Sequence, residues 1–395
     1  MSHSMTYPFH RDDPFLLPGE LCRLRDDSPV PEVTLPSGET AWVLTRYADI
    51  RAALRDDRLS RRPIRDQAQA TAPDGFDFGA SIAEPPGHTR WRRVITPLFG
   101  PKQAEDLRDR IGELTDRLLD EFAALEQPAD LMSGLAFRLP IRVIAELFGM
   151  ADDEYDRLAE WASGLRNTGG SMAAFGAAMG ALGAFVNELV DRRRADPGRD
   201  LLSQLLTGAP DDEEPLTHQE LVSTGILLVT AGFETVAIQL GNAFLALFRY
   251  PEQRERMQAE PGSMATAVEE CLRFAQIGSG FAGAVYATTE LTIGGVRIPA
   301  GGMVFVRPDL ANRDPEQFSD PDLFDVGRTE ARQHLTFGGG PHFCLGAALA
   351  RVELQEGIGR VLRRFPELKL DLDPTAVELV STPFSHYPRA LPVRW

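Results

Sequence analysis

The chain has 395 residues, 43% hydrophobic and 25% charged, which excludes disorder or a collagen-like repeat as a description of the whole. Its 41 Lys and Arg stand against 58 Asp and Glu, and the resulting charge of −17 argues against attraction to nucleic acid or an anionic membrane through bulk charge. Three cysteines, Cys22, Cys271 and Cys344, are too few for a disulfide framework and point to a reducing, cytoplasmic setting.

Met1 to Pro14 is polar and has no apolar core of the kind a signal peptide needs. Val33–Leu35 and Ala41–Leu44 flank the turn residues Pro36, Ser37 and Gly38 and read as a hairpin. Helical patterns follow at Ala48–Asp57, His88–Leu98, Lys102–Leu125, Pro140–Phe148, Asp152–Leu165 and Ala174–Arg194. Thr217 and Glu220 form a Thr-x-x-Glu capping box, so a long helix is expected to start there and to stop before Pro251. Its apolar stretch, Leu221–Phe248, is broken by Ser223, Thr224, Glu234, Gln239 and Asn242, which suits a buried core helix better than a membrane span. Met264–Phe274 is a further helix. Short strands are expected at Ala287–Ile293, Val296–Ile298 and Val304–Val306, then a helix from Gly346 to Phe365 and a strand-like tail. The fold class is mainly α with small β-sheets (α+β).

The most informative segment is Phe337-Gly338-Gly339-Gly340-Pro341-His342-Phe343-Cys344-Leu345-Gly346. Its glycines and proline forbid a helix before Cys344 and let the backbone approach a bound group closely. A helix opens just after, and a thiolate near a helix N-terminus is stabilised by backbone N–H groups and the dipole. One cysteine cannot build a zinc or iron–sulfur site, which takes about four protein ligands. A lone thiolate on such a loop fits haem iron, where the porphyrin fills the other in-plane positions.

On these residues the chain resembles the cytochrome P-450 superfamily in its soluble bacterial form, and the likeness runs over nearly the whole length. Phe337, Gly340, Cys344 and Gly346 stand at the family's haem-loop positions. The resemblance implies heme b (iron protoporphyrin IX), with Cys344 as axial iron ligand and His342 at a propionate. Gly338 and Ala350 flank the same loop and helix and are expected to bind the cofactor with Phe337 and Gly346. Ala231-Gly232-Phe233-Glu234-Thr235 is similar to the family's oxygen-activation motif on the central helix. The expected roles are proton relay for Glu234 and Thr235, with Ala231 beside the cofactor. A threonine hydroxyl there can bond the carbonyl a turn earlier and loosen the ladder into a groove.

Glu270-Cys271-Leu272-Arg273 resembles the family's Glu-x-x-Arg helix, and the likeness implies a Glu270–Arg273–Arg328 network that supports the cysteine loop. His88 and Arg92, four apart on one helix face, are similar to the bacterial propionate-binding pair. One departure stands out: Val285 occupies the position where many relatives carry a third propionate-binding arginine. Either His88, Arg92 and His342 suffice, or Tyr286 or an unaligned arginine substitutes.

The implied organisation is one domain over residues 1–395, with no reductase or targeting domain of its own, acting as a cytoplasmic monomer. The implied activity is monooxygenation with O2 of a small organic substrate, a natural-product intermediate, by hydroxylation, epoxidation or oxidative coupling. A thiolate ligand favours O–O cleavage. Electrons would come from a ferredoxin and its reductase, docking on a basic face made of Arg351, Arg360, Arg363 and Arg364 with Arg90 and Arg93. Two other readings stay open at this point: a peroxide-driven enzyme and a non-catalytic haem sensor. The substrate pocket is expected around residues 62–78, 162–185, 227–235, 276–284 and 383–385, with aromatic walls from Phe281 and Phe384.

Overall fold

The longest element is set by its two ends. The Thr217 hydroxyl accepts the Glu220 N–H at 3.2 Å, and the Glu220 carboxylate accepts the Thr217 N–H at 2.9 Å. This reciprocal cap satisfies N–H groups that a helix start leaves without partners. In the computed structural model the helix then runs His218–Arg249, and Pro251 opens the next helix, Pro251–Ala259. At about 1.5 Å per residue it is long enough to cross the molecule. It also has the length and apolarity of a membrane span, as does Ala173–Ala195. Every residue from Val236 to Phe248 is nevertheless buried in protein. Gln239 and Asn242 show how its polar residues are accommodated. The Gln239 amide donates to the carbonyls of Cys271 and Ala275, and the Asn242 amide to those of Gln276 and His386.

Helices Arg138–Leu147, Met172–Ala195, Met264–Phe274 and Ala347–Arg364 pack around this rod. The approach of Ala347–Arg364 depends on Gly357, where a Cβ would come within 3.0 Å of Leu240 Cδ2. The structure describes residues 5–9, 13, 15–63, 66, 80–166, 171–208, 213–278, 283–382 and 385–395. The expected aromatic walls Phe281 and Phe384, and most of the 62–78 segment, lie outside these.

A second, smaller core surrounds a six-stranded sheet. Its spatial order is Met5–Thr6, Glu32–Thr34, Thr40–Val43, Met303–Phe305, Ala284–Ala287, Leu59–Ser60. The expected hairpin is present, with Val33 opposite Ala41 and Gly38 at φ 87° in its turn. Thr40–Val43 pairs in parallel with Met303–Phe305, which joins the two ends of the chain. Ala284–Ala287 runs antiparallel to Met303–Phe305 and to Leu59–Ser60.

Two expected elements are each divided in two. Lys102–Leu125 is two helices, Pro101–Asp106 and Arg108–Ala123, meeting at Leu107. The strand expected over Ala287–Ile293 is two strands, Ala284–Ala287 and Leu291–Ile293, because Thr288 turns away and donates its N–H to Arg58 O. The helix Gly19–Asp27 had no expectation attached to it.

Candidate active site

Cys344 lies three residues ahead of the helix Ala347–Arg364, whose N-cap is Gly346. Two features hold its loop. The Cys344 N–H donates to Phe337 O at 2.9 Å, closing the loop on itself. Gly340 adopts φ 62°, and a Cβ there would lie 2.3 Å from Leu54 O, so only glycine fits. The thiol has accessible surface, yet enough protein surrounds it to push its pKa up by burial. The Gly346 N–H and the charges of Arg92 and Arg351 pull in the opposite direction and favour thiolate. Accessible surface combined with desolvation is what a side chain lining an internal slot shows.

The central helix also has an exposed stripe. Leu227, Ala231 and Thr235, each four residues apart, are exposed on a helix that is otherwise mostly buried. Thr235 Oγ1 donates to Ala231 O at 2.5 Å, the back-bond expected for it. The helix nevertheless stays α-helical throughout, so the expected loosening of its ladder is not seen. Glu234 is half-buried beside it. Phe337, Gly338, His342, Gly346 and Ala350 are all partly exposed on the cysteine side.

His88 and His342 come together from distant segments. Their rings stack with centroids 4.3 Å apart and an interplanar angle of 28°. The His88 helix, Gly87–Ile95, is pinned to the central helix by Trp91 Nε1, which donates to Thr224 Oγ1 at 2.9 Å, and by the Arg90–Glu220 ion pair. Arg92 reaches the cysteine loop and donates to Phe343 O at 2.9 Å. The charges of Arg61 and Arg92 act on both rings. Burial lowers the pKa of His88, with Arg92 and Arg61 adding to it, and burial with Arg61, His88 and Arg92 lowers that of His342 to about 4. Cation-capable groups crowded and desolvated in this way suit an anionic guest such as a carboxylate. Val285 is buried in the sheet core, and burial, with the nearby Glu39 charge, raises the pKa of Tyr286. Sequence analysis allowed an unaligned arginine in place of Val285 but did not name Arg61, whose charge reaches both rings.

The acid–base lattice behind the loop follows the expected pairs. Arg273 donates to both Glu270 oxygens, at 2.7 and 2.8 Å, and both side chains are fully buried. Arg328 Nε approaches the same carboxylate at 3.4 Å. Arg273 also donates to the carbonyls of Asn312, Pro321 and Leu323. Asn312 in turn accepts the Leu335 N–H at 2.6 Å and bonds Thr336, at the entry to the cysteine loop.

A second lattice was not foreseen. Glu269 binds Arg351 at 2.6 Å and His334 at 3.1 Å. Burial pushes the Glu269 carboxyl up, but the hydrogen bonds from His334 and Arg351 outweigh it and hold its pKa at about 2. Burial lowers the pKa of His334, so at neutral pH the ring is uncharged. Its Nε2–H then donates to Glu269, and its Nδ1 accepts the Thr336 N–H at 3.1 Å. The ion pair is therefore Glu269 with Arg351. Glu269 is held below its unfolded value of 4.5, so its contribution is complete above that pH and is lost as pH falls towards about 2. At neutral pH it is on the order of 3 kcal/mol. Glu269→Gln is expected to lower stability at pH 7 and to flatten the acid limb of the stability curve. Denaturant titrations across that range check this, and parallel wild-type and variant curves would contradict it.

Most arginines of the expected docking face are ion-paired. Arg351 pairs with Glu269, Arg360 with Asp116 and Glu356, and Arg364 with Asp120. Arg90 pairs with Glu220 and Arg93 with Glu213. Only Arg363 has no ion pair among the described residues. Among those residues, too, no cluster of three or more His, Cys, Asp or Glu is arranged to hold a metal ion.

Comparison with known proteins agrees with this geometry. A family profile described as Cytochrome P-450 matches residues 171–379. Nocardicin C N-oxygenase of Nocardia uniformis subsp. tsuyamanensis is 39% identical, covering 99% of this chain and 98% of that protein. Mycinamicin IV hydroxylase/epoxidase of Micromonospora griseorubida is 39% identical, covering 98% of each. The solved structure of a mutant of the mixed-function enzyme MycG in complex with mycinamicin IV superposes with a TM-score of 0.91, at 37% identity and full coverage of both chains.

Proposed function

The chain belongs to the cytochrome P-450 family, with haem b as cofactor, and from that premise we propose that it oxidises a natural-product intermediate through the residues described above. Haem b held by Cys344 would supply dioxygen activation, with O2 as the oxidant. The observation that carries the reading is the accessible but desolvated Cys344 thiol, on a loop closed by Phe337 O and Gly346. His88, Arg92 and His342 hold the cofactor's carboxylates. Phe337, Gly338, Gly346 and Ala350 shape the cysteine side of the slot, and Ala231 leaves the distal side open.

Glu234 and Thr235 deliver protons from the central helix to that distal side. The Thr235 proton points at Ala231 O in the resting arrangement, so the hydroxyl must turn to donate elsewhere. Thr235→Ala removes that donor and leaves the helix backbone intact. It is expected to lower product formed per electron consumed by as much as roughly a hundredfold, the lower end of what a positioned proton donor contributes. NADPH consumption measured against product checks this, and unchanged coupling would remove Thr235 from the relay.

Residues 1–395 act as one cytoplasmic, monomeric domain served by an external ferredoxin-type donor, delivering two electrons singly. Five of the six arginines expected to form the docking face are ion-paired, so that face carries less net positive charge than first expected. The relatives named above act on nocardicin C and mycinamicin IV by name, and only the class, a small biosynthetic intermediate, is carried over. Spin-state titration against such compounds tests the substrate class. A reduced, CO-bound spectrum of the imidazole-ligated type in wild type would overturn the thiolate assignment.

A further inference from the structure

Two stacked imidazoles flanked by Arg92 account for three of the groups facing the haem carboxylates, and the fourth has no assigned role. Arg61 follows directly on the strand Leu59–Ser60. In that antiparallel pair Leu59 faces Ala287 and Ser60 faces Tyr286. Pairing ends at Ser60, so Arg61 is the first residue past the strand, at its end nearer Val285. Val285 itself is apolar, 4% exposed and packed in the sheet core with Leu335, just ahead of the cysteine loop.

Glu84 ties this position to the stacked rings. The Arg61 N–H donates to Glu84 Oε1 at 2.7 Å, and the His88 N–H donates to Glu84 O at 2.9 Å. Residues 61 and 88 thus hang from one residue. The Arg61 guanidinium acts electrostatically on both His88 and His342, and burial depresses its own pKa. The charges of Arg92 and Arg61 act on both rings, and that of Glu84 acts on His88. Two guanidinium charges reaching one pair of rings suit a guest that brings carboxylates, as a dicarboxylate porphyrin does.

We propose that Arg61 is a haem-carboxylate ligand of this chain, filling from the neighbouring strand the place that Val285 leaves empty. The inference rests on the haem reading above and concerns how the cofactor is retained. Arginine suits the task because its planar fork can pair a carboxylate through two hydrogen bonds.

The test is haem release from the purified holoenzyme to excess apomyoglobin, with the ferric/ferrous potential as second readout. Arg61→Ala is expected to shorten the haem half-life on the order of tenfold, the low end for loss of a group supporting a metal centre. It is also expected to lower the potential, since a positive charge near the haem favours the reduced form. Arg61→Lys, a point charge without the fork, should fall between the two. Arg58→Ala, whose side chain pairs with Asp56 at the surface before the same strand, should release haem like wild type. If Arg61→Ala does not accumulate, Arg61→Gln keeps the backbone N–H to Glu84 and reads the same loss. A wild-type half-life in Arg61→Ala or Arg61→Gln would overturn the proposal. So would equal acceleration in the Lys and Ala variants with no change in potential, which would mark a structural role. The reduced CO spectrum should stay of the thiolate type in every variant. Its absence from wild type would count against Cys344 and not against Arg61.

Discussion

Glutamine in place of Glu270 is expected to cost about 3–5 kcal/mol, the usual penalty for stranding one partner of a buried ion pair. Glu270 and Arg273 are fully buried, and Arg328 shares the same carboxylate, so the variant leaves two guanidiniums facing a neutral amide. Glu270 also accepts the Asp325 N–H at 3.0 Å, which anchors the segment that carries Arg328. The damage should reach the cysteine loop through Asn312, because Arg273 holds the Asn312 carbonyl while the Asn312 side chain holds Leu335 and Thr336. Guanidinium denaturation and the haem content of the purified variant are the measurements. A second change, Arg273→Met, should not restore stability, because the carbonyls of Asn312, Pro321 and Leu323 would lose their donors. A denaturation midpoint equal to that of wild type would refute the structural role given to this lattice.

Serine at position 344 is expected to abolish the thiolate-type CO spectrum and to lower turnover by more than roughly 100-fold, since loss of a mere outer partner already costs a metal site 10–100-fold. The backbone should tolerate it. The loop is held by Cys344 N–H to Phe337 O and by the left-handed glycines at 338 and 340, which do not use the thiol; only the Gly346 N–H does, and a serine oxygen can accept it. Neither remaining cysteine offers a substitute. Cys271 is fully buried, and burial with the nearby Glu270 charge drives its thiol far from ionisation; Cys22 is partly buried and also shifted up. Circular dichroism of the variant should match wild type while the CO difference spectrum does not. A thiolate-type band persisting in Cys344→Ser would remove the assignment.

Much of this site was legible because its signals are local. A capping box is read in four consecutive residues, and His218–Arg249 begins and ends where Thr217, Glu220 and Pro251 say it should. The Thr235 back-bond and the Glu270–Arg273 pair depend on helical spacing alone, and both formed. What escaped was non-local. No local pattern announces that Thr40–Val43 will pair with Met303–Phe305, or that Leu59–Ser60 will pair with Ala284–Ala287. The pairing of the basic face escaped for the same reason. Arg360 and Arg364 sit four apart on one helix, and their partners Asp116 and Asp120 sit four apart on a helix far earlier in the chain. Counting cations in one segment says nothing about carboxylates delivered from another. The break at Leu107 has no glycine or proline to mark it.

The parallel pairing of Thr40–Val43 with Met303–Phe305 also bears on the order in which the molecule comes together. The sheet cannot close until the chain has been synthesised well past its midpoint, and the loop carrying Cys344 emerges later still. Contacts of such sequence separation form slowly, because the intervening chain must first give up its freedom. On the ribosome, the apolar central helix therefore waits for the helix Ala347–Arg364 that will cover it, and the slot between them does not yet exist. Cofactor capture is on this account a late event in biogenesis, and the stretch of synthesis before it is when exposed apolar surface makes the nascent chain most prone to aggregate.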